Sequence, residues 1–95
     1  MGHVEADARE AARLEALVGQ QRARLLRALD RPRTVGELAR TLIAVPSAAT
    51  HQVTALEAAG LVVRRRDGRC VVVHRTVRGA RLVELYEPGT PTSAT

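Results

Sequence analysis

Residues 34 to 69, TVGELARTLIAVPSAATHQVTALEAAGLVVRRRDGR, decide how the rest of the chain is read. Thr34 stands where a hydroxyl can cap a helix, and Glu37 follows at the capping-box spacing. The helix so begun runs to about Leu42. Ile43-Ala44-Val45 then form a turn, and Pro46 occupies the first-turn position where its missing N–H leaves no bond unmade. A second helix continues from there to Ala59, with Gly60 as its stop. Ala49, Val53 and Leu56 recur at helical spacing and form its buried face, so Ser47, His51 and Thr54 point the other way, flanked by Ala48 and Thr50. Gln52 lies nearer the buried edge.

Beyond Gly60 the period changes. Leu61–Arg66 and Cys70–Arg75 are Val-rich runs separated by Asp67-Gly68, a strong short hairpin signal. Placing the turn at Asp67-Gly68 sets Arg66 opposite Arg69 at its tip. Arg64 then shares a strand face with Arg66, and Arg65 faces the other way.

Outward from this stretch the chain remains helical. Upstream, Val4, Ala8, Ala11, Leu14 and Val18 make one stripe of a helix spanning about 4–18, with Glu5, Arg9 and Arg13 on the other side. Gly19 ends it. Gln20–Leu29 reads as another helix, with Ala23, Leu25, Leu26 and Leu29 turned inward, and Asp30-Arg31-Pro32-Arg33 breaks it. Downstream, Thr76 can cap a last helix over about 77–87 that carries Leu82 and Leu85, is weakened by Gly79 and is terminated by Pro88. Residues 88–95 hold Pro, Gly, Thr and Ser with nothing to bury, and are expected to be disordered. The predicted class is mainly α with a small β-hairpin (α+β), in the order α-α-α-α-β-β-α: a winged helix-turn-helix over residues 1–87. The helix-turn-helix occupies about 34–59 and the wing about 61–75.

Composition bounds the partners. The chain has 95 residues, no Phe or Trp, one Tyr and one Cys, so its core must be aliphatic and small. Such a core gains from a second subunit, and the stripes at Val4, Ala8, Ala11, Leu14 and Val18 and at Leu82 and Leu85 suit either the domain core or a homodimer seam. All 15 basic residues are arginine against 10 acids, a formal charge of +5. That balance favours a polyanion, although exclusive arginine with abundant alanine equally fits a GC-rich bacterial genome. The N-terminal residues contain no apolar stretch of the signal-peptide kind, and no run approaches membrane-spanning length, so a cytoplasmic location is expected. A lone cysteine excludes a disulfide framework. His3, His51, His74 and Cys70 are scattered, so no metal site or cofactor is expected, and no nucleophile–base pair or phosphate loop suggests an enzyme.

In a helix-turn-helix the second helix enters the major groove and the first braces it. The expected readers are Ser47, Ala48, Thr50, His51, Gln52 and Thr54, with Arg40 of the bracing helix beside them. None of the readers is an arginine, which removes the bidentate arginine–guanine contact. Charge gathers instead on the wing at Arg64, Arg65, Arg66 and Arg69, which are expected to hold phosphates or a narrow minor groove of double-stranded DNA. Arginines on an edge hairpin also serve solubility, and winged helices also serve as docking modules without nucleic acid. Cys70 reads either as a thiol activated by nearby arginines or as a small buried hydrophobe.

Glu37-Leu38-Ala39, Leu42, Ser47, Leu56, Ala59-Gly60-Leu61-Val62 and the arginines from Arg64 to Arg69 resemble the ArsR-type regulators. The resemblance extends from about Gly19 to Arg81. It implies a homodimeric repressor of transcription acting at imperfect palindromes, with terminal helices at the interface. Three positions depart from the pattern: Ile43 replaces the usual turn glycine, Val45 the usual capping Ser or Thr, and Gln52 a frequent His. The missing glycine and missing cap are expected to cost about 1 kcal/mol each unless Ile43 is buried and Ser47 caps one turn late, so helix four is expected to begin slightly off the usual frame. The metal-binding residues of that group's sensors have no counterparts here, since the third helix lacks cysteine and the last lacks His and Asp.

Overall fold

The computed structural model describes residues 12–86. Helix α1 is seen over residues 12–18, followed by α2 (Gln20–Ala28), β1 (Arg33–Thr34), α3 (Val35–Leu42), α4 (Pro46–Ala58), β2 (Val62–Asp67), β3 (Cys70–Arg75) and α5 (Val77–Tyr86). The expected seam residues Val4, Ala8 and Ala11 and the expected tail 88–95 lie outside the described residues.

Local chemistry sets the helix boundaries. Thr34 Oγ1 accepts from the Glu37 amide at 3.1 Å while the Glu37 carboxylate accepts from the Thr34 amide at 2.8 Å, completing the capping box. That amide, bonded to the charged form, holds the Glu37 carboxyl below its ordinary range. Thr76 caps α5, accepting from the Gly79 amide at 3.0 Å and donating to the Gly60 carbonyl at 2.7 Å. Helix α4 closes with Gly60 at φ 78°, the Gly60 amide on the Glu57 carbonyl and the Leu61 amide on the Leu56 carbonyl, both at 2.9 Å. This is the paired arrangement that satisfies the last carbonyls of a helix.

The same closure ends α3, with an isoleucine in the glycine's place. Ile43 adopts φ 53° and ψ 53° while its amide reaches the Arg40 carbonyl and the Ala44 amide the Ala39 carbonyl. Ile43 is 89% exposed, so packing does not offset the strain. Nor does Ser47 cap late: α4 starts at Pro46 as read from the sequence, with Val45 as its N-cap and no side-chain cap bond. The frame is kept because the left-handed residue is tolerated rather than replaced. Relieving it should raise stability. The cost of αL for an L-residue, about 1–2 kcal/mol, outweighs the added chain entropy of glycine, about 0.5–1 kcal/mol. Ile43→Gly is therefore expected to raise the thermal midpoint by a few degrees, and a lower midpoint in calorimetry would contradict the assignment of strain.

Two features of the sheet differ from the sequence expectation. It has three strands in the order β1-β3-β2, the two-residue β1 pairing Arg33 with Val73 and Thr34 with Val72. The hairpin turn also falls one residue later. Asp67 pairs with Cys70 and Arg66 with Val71, so the loop is Gly68-Arg69, with Gly68 at φ 64°. A two-residue hairpin that needs positive φ only at its first loop position takes glycine there, and Asp67 is thereby drawn into the strand. Arg66 and Arg69 are therefore not opposite each other.

The core is aliphatic, as composition required: Leu25, Leu26, Leu38, Leu42, Val53, Leu56, Val62 and Val73 are buried together, between the helices and one face of the sheet. Leu14 is fully buried within the single chain and so belongs to the fold rather than to an intersubunit seam, while Val18 is partly buried against the core. Leu82 also packs on the core, whereas Leu85 is 72% exposed. Two arginines complete the C-terminus of α2: Arg33 donates to the Ala28 carbonyl, and Arg75 to the Leu26 carbonyl at 2.8 Å. Both place a cation on carbonyls of the last turn, the end where positive charge is favoured; the Leu26 carbonyl also accepts from the Leu29 amide at 3.3 Å.

Candidate nucleic-acid interface

Helix α4 buries Ala49, Val53 and Leu56 and exposes Ser47, Ala48, Thr50, His51 and Thr54. The face read from sequence is therefore presented as a continuous neutral surface. Arg40 on α3 is exposed as well. Two of the expected readers are already engaged within the protein. Gln52 is half-buried, its Oε1 accepting from Arg22 Nε at 3.0 Å, which ties α4 to α2. Thr54 Oγ1 donates to the Thr50 carbonyl at 2.9 Å and accepts from Arg64 Nη2 at 2.7 Å.

Arg64 is thus not a free wing charge. Its Nη2 lies 3.5 Å from the Thr50 carbonyl and its Nη1 3.4 Å from a Glu57 carboxylate oxygen. The strand register explains this. Paired residues share a face of the sheet, so Val62, Arg64 and Arg66 lie on the core side with Arg75, Val73 and Val71. On that side a long side chain at position 64 meets α4.

Arg65, Arg66 and Arg69 are exposed, with no hydrogen-bond or ion-pair partner among the described residues. They form the uncompensated charge of the wing, with Arg65 on the face away from the core. Cys70 sits beside them and is exposed, so of the two sequence readings the buried-hydrophobe one does not hold. Among the described residues no three His, Cys, Asp or Glu side chains gather into a metal-binding group, and no helix is long and apolar enough to cross a membrane.

What sequence reasoning missed is Arg22. It sits 30 residues from Gln52 in the chain, on a helix read only for its apolar face, and nothing in local spacing announces the contact.

Helices α2, α3 and α4, the last with one face exposed, together with the arginine hairpin β2–β3, make up the winged helix-turn-helix fold. Comparison with known proteins agrees. A profile of the helix-turn-helix domain family matches residues 21–65. No curated protein sequence matches the chain. Among solved structures it is similar to Rv1404 from Mycobacterium tuberculosis, with a TM-score of 0.75 and 25% identity over 96% of this chain. It is also similar to the transcriptional regulator BldR from Sulfolobus solfataricus, with a TM-score of 0.70 and 28% identity over 97% of this chain. A MarR family transcriptional regulator from Silicibacter pomeroyi shares the fold at a TM-score of 0.74 and 24% identity over 92% of this chain. The chain spans 65%, 70% and 62% of the lengths of these three.

Proposed function

We propose that this protein is a homodimeric regulator that represses transcription by binding an imperfect palindrome in double-stranded DNA. Residues 1–87 act as one binding domain. The observation that carries this reading is the pairing of a neutral, exposed α4 face with a wing whose Arg65, Arg66 and Arg69 are uncompensated. Phosphate attraction supplies grip without sequence information, and the helix supplies readout without much grip. Ser47 and His51 are the polar readers left free, with Ala48 and Thr50 offering methyl groups to thymine. The ArsR-type spacing of residues 37–69 supports repression, and the MarR name of one structural neighbour supports the same class of regulator by a different branch. The exposed Leu85 supports pairing through α5. No role as an enzyme and no cofactor is invoked.

Selection of bound sites from random duplexes tests all of this together. A palindrome with half-sites about one helical turn apart is expected. His51→Ala should then flatten the preference at one position of each half-site, worth about 1–3 kcal/mol per contact, while binding to unrelated DNA stays as it was. Enrichment of no sequence, with retention by a protein partner that salt does not disturb, would instead establish a docking module.

A further inference from the structure

The sequence leaves α4 without a single arginine between Pro46 and Ala58. The fold supplies two from outside. Arg64 reaches α4 from β2 through Thr54 and Glu57, and Arg22 reaches it from α2 through Gln52. At 3.6 residues per turn, Gln52 lies on one flank of the Ser47–His51 line, and Thr50 and Glu57 lie on the other. The exposed face is therefore bracketed by a guanidinium on each side.

The two differ in what remains free. Arg64 has a carboxylate at 3.4 Å and both terminal nitrogens occupied. Arg22 has only its Nε engaged, to a neutral amide, and its two terminal nitrogens have no partner among the described residues. A guanidinium held by one edge and open at its fork is prepared for a phosphate, whose oxygens match that geometry. Gln52, for its part, has given up the carbonyl oxygen that a bidentate adenine contact requires.

We propose that Arg22 is a phosphate contact on the α2 side of the major groove, and that Gln52 is a positioning residue that orients it rather than a base reader. The assignment rests on the DNA-binding reading above and adds a residue and a reversed role to it. A helix seated in the major groove has a phosphate strand on either side, so a charge anchored to the flank of α4 faces one strand while the wing reaches beyond the other.

The test uses the full chain, a selected duplex and an unrelated duplex of equal length, titrated by fluorescence anisotropy over a salt series. Arg22→Met is expected to weaken both duplexes by the same factor, about fivefold per chain near 0.15 M salt, and to make the salt slope shallower by about one. Arg22→Lys should keep the slope. Gln52→Ala should weaken both duplexes equally, and the double variant should bind no worse than Arg22→Met alone. An unchanged salt slope in Arg22→Met, or a changed ratio between the duplexes in Gln52→Ala, overturns the assignment. If the wild-type chain binds neither duplex, the DNA-binding reading fails first and this one with it.

Discussion

Replacing Gly79 with alanine is expected to cost about 3 kcal/mol or more of stability, because the added methyl has no place to go. An ideal Cβ there would lie 2.1 Å from the Leu61 carbonyl oxygen and 2.9 Å from Arg75 Cγ. The obstructing atom is backbone, and it is already held by the Thr76 amide at 3.1 Å. Helix α5 must therefore lift away from the start of β2. For a domain of this size the loss corresponds to a fall of roughly 12–24 °C in the thermal midpoint. Calorimetry of Gly79→Ala decides it; a fall of under about 5 °C would mean that α5 does not seat against Leu61 as described. Sequence reasoning saw this glycine only as a weak helix former, whereas close backbone approach is the reason it is there.

The largest effect on binding is expected from the wing. Arg66 and Arg69 are unpaired among the described residues and, with the turn at Gly68-Arg69, sit at different points of the hairpin. Each should reach its own phosphate. Removing both by alanine is expected to reduce the salt slope by about two per chain and affinity by roughly 30-fold per chain near 0.15 M salt, equally for all sequences. Because the two are not cross-strand partners, the single losses should add. A strongly non-additive cycle would restore the pairing of Arg66 with Arg69 that the Asp-Gly reading of the sequence suggested. A double variant that binds its selected site normally would remove the wing from the interface.

Much of the fold was legible because its signals are short-range. The Thr34 and Glu37 spacing, Pro46, Gly60 and Thr76 each mark a helix end by chemistry acting over three or four residues. What escaped is long-range or too short to have a pattern. Two residues, Arg33 and Thr34, cannot display alternation, so β1 is visible only through its pairing with β3. The hairpin slipped by one because Asp-Gly favours a turn locally, while the structure uses the glycine as the first loop residue. Leu14 looked equally suited to a core or a seam, since an apolar stripe does not say what covers it. The candidate site was half legible: the neutral α4 face and the free wing arginines followed from sequence, but the engagement of Thr54, Gln52, Arg22 and Arg64 depends on packing between separate elements.

The bond from Arg64 to Thr54 has a mechanical meaning. It joins the strand that carries the wing to the exposed helix α4, and Glu57 holds the same guanidinium from a turn further along. In the proposed binding mode this link sets the gauge between helix and wing. A duplex whose grooves do not match that gauge has to bend or narrow to be held, at a cost that depends on its base steps. Flexible pyrimidine–purine steps between helix and wing would then be favoured at positions that no side chain touches.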